Sequence, residues 1–147
     1  MRIDFQKINY DKDLNSRQQE AFNFQKVSAV LADFGFITIP LSNDWNGADF
    51  LAQDRDGKTF FKVQLKSRLT FDKKYFERDL YICFKDYESG YWYIYDHDEL
   101  LRMVSPEGRI ERTQTWIDNK PYHFPTLSKD LKELLRPYRI PTDNNDD

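Results

Sequence analysis

A chain of 147 residues with a single cysteine is long enough to bury one hydrophobic core and has no disulfide framework to hold it. The net charge of −3 argues against a domain whose entire surface grips nucleic acid, because such a footprint is basic overall. No cationic start leads into an apolar run and no stretch approaches the roughly 18 apolar residues of a membrane span, so the expectation is a soluble, cytoplasmic protein with no membrane partner.

In chain order, residues 1–14 hold Ile3, Phe5 and Ile8, which suit either a short strand or a packed arm. Ser16 followed three residues later by Gln19 reads as a capping box that opens a helix to about Phe34, where Gly35 stops it. Phe24, Val27, Leu31 and Phe34 recur on that helix at steps of three and four and form a buried stripe. One step further back the stripe lands on Glu20, an acid either aimed under a sheet or merely solvated near the helix start. Residues 36–40 (FITIP) form a short apolar strand, and residues 41–46 a polar loop bearing Trp45.

Residues 47–68 (GADFLAQDRDGKTFFKVQLKSR) then read as a tight β-hairpin. Asp56-Gly57 is a strong signal for a type I′ turn, which needs positive φ at both central residues. A two-residue turn fixes the pairing: Asp49 stands opposite Gln64, and Lys66 lies two residues further along the same face. Ala48, Phe50, Ala52, Phe61, Val63 and Leu65 collect on the other face, which is therefore the core side. Phe60 and Lys62 share the face of Asp49, Gln64 and Lys66.

Beyond the hairpin, residues 69–79 mix charge with aromatics as a loop or an irregular short helix. Residues 80–84 and 91–95 make a second strand pair joined near Glu88-Ser89-Gly90. Tyr91, Tyr93 and Tyr95 share one face; such a row can stack on bases, but tyrosines are ordinary strand formers, and that reading is preferred. A short helix opens at Asp98, capped by Asp96 or by Asp98 itself. A strand is expected over residues 109–117 and a turn region over 121–125. A last helix starts at Thr126 or Ser128 and ends at Pro137. Residues 1–141 read as one domain, and 142–147 as a disordered acidic tail.

The hairpin resembles the PD-(D/E)XK nucleases, and among them the Mrr-type restriction endonucleases, in which Gln commonly replaces the acid of the last motif. The resemblance rests on Asp49, then Gln64-Leu65-Lys66 after fourteen intervening residues, with Glu20 on a preceding helix. It covers roughly the first half of the chain. Gly47-Ala48 stands where relatives have a Pro before the acid, and Gln64 offers a neutral amide oxygen where many have a carboxylate. The resemblance implies an α/β fold with a restriction endonuclease-like core: an N-terminal helix, a mixed central sheet with the hairpin as its active-site edge, and a C-terminal helix. It implies a Mg²⁺-dependent endonuclease acting on DNA, of restriction or repair type.

Hydrolysis of a phosphodiester needs an activated water and a sink for developing charge, and Mg²⁺ (or Mn²⁺) can supply both. The resemblance gives the ligands as Asp49, Gln64, the Leu65 backbone carbonyl and Glu20, with Lys66 orienting water or neutralising phosphate. With Gln64 in place of an acid, metal binding is expected to be weak until the phosphate itself becomes a ligand. Residues 58–78 hold seven basic side chains against Asp72 and Glu77. Lys62, Arg68, Lys73 and Lys74 in this window are the expected DNA contacts. A homodimer would suit an enzyme cutting both strands. Two rivals remain: a silent module of the same fold, and a small acidic inhibitor or immunity-type partner of another protein. His97 and His123 lack metal-ligand spacing, and His97, between Asp96 and Asp98, reads as a loop or cap residue. Cys83 reads as core.

Overall fold

The computed structural model describes residues 1–45 and 47–142, with side chains at all of these but 43–45. Asn46 and the tail beyond Thr142, on which the expected polar loop and disordered segment partly fall, lie outside the described residues.

Residues 1–9 are exposed, and regular structure begins with one turn, α1 (Tyr10–Asp13), capped by Asn9. The long helix α2 (Ser16–Ala32) has its capping box one residue earlier than expected. The Asn15 side chain accepts from the Gln18 N–H, and Gln18 Oε1 accepts from the Asn15 N–H, both at 2.9 Å. Asn caps at least as well as Ser, so Ser16 becomes the first helical residue. The helix closes in a Schellman arrangement. Phe36 donates to Leu31 at 3.2 Å and Gly35 to Ala32 at 3.0 Å, with Gly35 at φ +84. Val27 and Leu31 are buried, while Phe34 ends the stripe 41% exposed.

Five strands form the main sheet in the order β1 (Ile37–Trp45), β2 (Ala48–Gln53), β3 (Phe60–Lys66), β5 (Tyr81–Lys85), β6 (Trp92–Asp96). β3 and β5 run parallel and the other neighbours antiparallel, which makes this an α/β protein with a mixed central sheet. The crossover from β3 to β5 carries β4 (Leu69–Phe71) and a single 3₁₀ turn, Lys73–Tyr75. β4 pairs with β7 (Tyr122–Phe124) as a separate two-stranded sheet. Among the described residues three α-helices follow β6: α3 (His97–Val104) capped by Asp96, α4 (Gln114–Ile117) capped by Thr113, and α5 (Lys129–Leu135) capped by Ser128.

The expected register of the hairpin holds: Phe50 pairs with Val63, Ala52 with Phe61 and Gln53 with Phe60. The turn does not. Asp54 donates to Thr59, which leaves a four-residue loop with Gly57 at φ +71 and no positive φ at Asp56. Asp56 instead accepts from the Lys58 and Thr59 N–H groups and from the Thr59 hydroxyl. Those three bonds hold its carboxyl below the usual carboxylate range. Four residues centred on the same point keep every partner, so the pairing survives the wrong turn type. The hairpin also lies inside the sheet, flanked by β1 and β5, not at its edge.

Core clusters cover both faces. α2 seals one face with Val27 and Leu31 against Phe50, Ala52, Val63, Cys83 and Trp92. On the other, Ile82, Phe84, Tyr93 and Tyr95 meet Leu69, Phe71, Tyr75, Leu100 and Leu135. The tyrosines of β6 are therefore core, with Tyr95 fully buried. That second layer covers β5 and β6, while Asp49 of β2 is exposed and Gln64 and Lys66 of β3 are half-buried at its margin.

Three expectations are corrected. Residues 109–117 form no strand: Thr113 accepts from the Trp116 N–H and starts α4, while Ser105 Oγ takes the Ile110 N–H at 2.7 Å. Local side-chain bonds of this kind draw the backbone away from a ladder. Residues 122–124 form a strand because β4 offers a partner. β1 continues past Pro40 to Trp45 across a register shift.

Candidate active site

Asp49 closes the paired part of the hairpin. The register with β3 ends at Phe50 and Val63. Beyond that point the Leu65 N–H donates to Asp49 Oδ2 at 2.8 Å. The carboxylate thus sits on the main chain of the Gln64-Leu65-Lys66 segment, where two strands part. Ala48, expected beside Phe50 and Ala52, joins the opposite core cluster with Tyr75 and Leu80. The Gln64 amide lies 3.5 Å from the Leu65 carbonyl oxygen through Nε2; only with a cation between them would Oε1 turn toward that oxygen, since both are acceptors.

Tyr75 is the floor of this end. Lys66 Nζ stands 5.4 Å from its ring centroid and Lys74 Nζ 5.2 Å, distances at which cation and ring attract. A Cβ at Gly47, which has φ +89, would come within 3.1 Å of the same ring. Glycine before Ala48-Asp49 is thereby explained: it admits both the backbone angle and the tyrosine.

The Tyr75 turn is pinned by His97. This side chain is fully buried; Nε2 accepts from the Asp72 N–H at 3.0 Å and Nδ1 donates to Asp98 Oδ1 at 2.7 Å. Burial lowers its pKa against the pull of Asp98, so the ring is a neutral clamp. Asp98 Oδ2 also takes the Glu77 N–H at 2.8 Å. His97 is therefore a structural residue within a helix start.

The sequence sets His123 aside for want of metal-ligand spacing, and Tyr75 draws no notice there. His123 pairs with Thr70 across the small sheet, and its Nδ1 lies 2.9 Å from Thr70 Oγ1. The Thr70 hydroxyl gives its proton to the Arg68 carbonyl at 2.8 Å. Its oxygen is thus left to accept from His123 Nδ1–H, with the lone pair on Nε2. Partial burial and then the charges of Arg68 and Lys66 lower the His123 pKa, which places a neutral imidazole in the field of both cations. No spacing signal reveals it, since β4 and β7 are distant in sequence.

The remaining candidates are spread out. Glu20 is exposed on α2, and no hydrogen bond or ion pair among the described residues links it to the hairpin. Lys62 Nζ donates to the Arg78 carbonyl at 2.7 Å, and Lys74 approaches Asp72 at 3.9 Å. Arg68 and Lys73 are exposed. Cys83 is buried core, its thiol pushed up by burial. Among the described residues no three His, Cys, Asp or Glu side chains come together to hold a metal. A cation here would have one carboxylate, amide and carbonyl oxygens, and water or phosphate. Such hard oxygen donors fit Mg²⁺, which takes one or two carboxylates and keeps several waters. No helix of the described residues is long and apolar enough to cross a membrane.

Proposed function

We propose, from the site itself, that the protein is a Mg²⁺-dependent phosphodiesterase of restriction endonuclease-like type acting on DNA; no model of a known protein family and no curated protein matches the chain. The observation that carries the reading is the 2.8 Å bond that holds Asp49 on the strand of Gln64 and Lys66.

Bound Mg²⁺ supplies an acidified water and a charge sink for the phosphoryl oxygens. The protein supplies orientation. The Leu65 N–H fixes one oxygen of Asp49, so the carboxylate is preorganised toward the parting strands. Gln64 adds a neutral oxygen donor, and the single carboxylate makes affinity depend on the substrate phosphate. Lys66, held over Tyr75, places its ammonium where charge grows on the phosphate. Arg68 and Lys73 extend the positive field toward the backbone of the substrate. Among the described residues no hydrogen bond or ion pair links Glu20 to the hairpin, which favours one other reading, a nonhydrolytic DNA-binding module of the same fold.

Electron paramagnetic resonance of Mn²⁺ separates the two. Binding that is weak alone, tightens when a short duplex is added and disappears in Asp49→Ala supports hydrolytic chemistry. Duplex binding with no Mn²⁺ uptake refutes it.

A further inference from the structure

The imidazole of His123 is exposed, yet a chain of hydrogen bonds that begins in the core holds it in one tautomer. The fully buried Tyr95 hydroxyl fixes the Thr70 backbone through both its N–H and its carbonyl. Thr70, itself buried, donates its hydroxyl proton to the Arg68 carbonyl at 2.8 Å and accepts from His123 Nδ1–H at 2.9 Å. Nδ1 therefore keeps its hydrogen, and Nε2 is the ring nitrogen left to gain or lose a proton. No hydrogen bond or ion pair among the described residues occupies Nε2.

Charge gathers at the same corner. His123 is the cross-strand partner of Thr70, and Arg68 precedes Thr70 by two residues, on the bend that leaves β3. Diagonal neighbours across two strands stand roughly 7–8 Å apart, within reach of a long side chain. Partial burial and then the charges of Arg68 and Lys66 lower the His123 pKa, while Asp72 pulls the other way. Asp72 is already engaged: it is nearly buried, accepts from the Lys74 N–H at 3.1 Å and has the Lys74 ammonium at 3.9 Å. Tyr122 and Phe124, which flank His123 on β7, pack on the aromatic core and bring no charge. Two cations and a proton-accepting nitrogen, with the one nearby carboxylate occupied elsewhere, suit an anion. Such an anion cancels the field that keeps the ring neutral and offers Nε2–H a charged acceptor.

We propose that this corner binds a phosphate of the DNA backbone beside the scissile one, with Arg68 as its standing charge and His123 as a second contact that takes a proton from solvent when the phosphate enters. The choice of a nucleic-acid phosphate among anions rests on the proposed function, and the cluster extends that site from Lys66 across the bend to β7. Binding is then linked to proton uptake. The complex holds more protons than its free parts between the pKa of the free ring and that of the bound ring. Affinity accordingly rises as pH falls through that range and levels off below it.

The test is binding of a short duplex in EDTA at fixed ionic strength, followed by fluorescence anisotropy from pH 7.5 to 5.5 for the parent, His123→Asn and Arg68→Ala. Asn keeps an N–H for Thr70 where Nδ1 stood but does not titrate. The parent should gain about three- to tenfold in affinity over this range, a gain that His123→Asn loses. Arg68→Ala should weaken binding at every pH and raise the pKa of the free ring. Nuclear magnetic resonance titration of the parent alone should give His123 a higher pKa with the duplex than without it, a readout independent of how the variants fold. A gain that persists in His123→Asn, a ring pKa that the duplex does not move, or no duplex binding at any pH overturns the inference. Neither measurement involves metal or cleavage. Proton-linked binding by a protein that nicks nothing would sink the hydrolytic reading alone, and nicking with a ring pKa unmoved by the duplex would sink this inference alone.

Discussion

Replacing Tyr95 with Phe removes one oxygen atom and should cost far more than such a change usually does. The Tyr95 hydroxyl is fully buried; it donates to the Thr70 carbonyl at 2.6 Å and accepts from the Thr70 N–H at 3.2 Å. Burial raises the phenol pKa above its ordinary value, so the group is a neutral donor at neutral pH. Tyr95→Phe leaves a buried N–H and a buried C=O unsatisfied, each worth about 1–3 kcal/mol. Allowing for partial relaxation, the loss is roughly 2–4 kcal/mol, or about 5–15 °C in Tm for a domain of this size. Thermal and urea denaturation followed by circular dichroism measure it. Thr70 also carries His123, so the His123 ring resonances should shift in the same variant. A Tm within about 1 °C of the parent would refute the claim that this hydroxyl ties β4 to the main sheet.

Three other outcomes follow from the same physics. The neutral folded form of His97 makes stability fall as pH drops: the unfolded imidazole takes up a proton below about pH 6.5 while the buried one resists. The share of the slope due to His97 should reach at most about 1.4 kcal/mol per pH unit between pH 6.5 and 5, and His97→Gln should remove that share while leaving the contribution of His123, whose pKa is also lowered; an unchanged slope in the variant would refute the clamp. Val63→Ala, at a fully buried position facing α2, should destabilise by about 1–3 kcal/mol, while Lys62→Ala on the opposite face should cost under about 1 kcal/mol; the reverse ranking in urea melts would overturn the face assignment. Gly47→Ala drives a methyl to 3.1 Å from Tyr75 at φ +89 and should lower stability by at least about 1 kcal/mol; a neutral result would mean that Tyr75 does not pack there.

The hairpin was legible in sequence because two signals agreed: alternation put Phe50, Ala52 and Val63 on one side, and Asp56-Gly57 centred the turn. The turn type was not, since the Asp56 carboxylate bonds to Thr59 and Lys58 offered the chain a four-residue solution with the same centre. Long-range pairing was least legible. Nothing in residues 69–71 or 122–124 announces that they are partners, so His123 and its link to Thr70 stayed hidden. The expected strand over 109–117 failed because periodicity carried no information about Ser105 and Thr113, whose hydroxyls capture the Ile110 and Trp116 N–H groups. Glu20 was in phase with Val27 and Leu31, and phase alone sets no distance to Asp49.

The central claim is tested most directly by plasmid nicking with the purified protein in Mg²⁺ and in Mn²⁺, beside an EDTA control and the Lys66→Ala variant. The account predicts metal-dependent nicking that EDTA abolishes and that Lys66→Ala loses while its Tm stays within a few degrees, since that side chain is half-exposed. No nicking with either metal by a folded protein, or full activity in the variant, would contradict it.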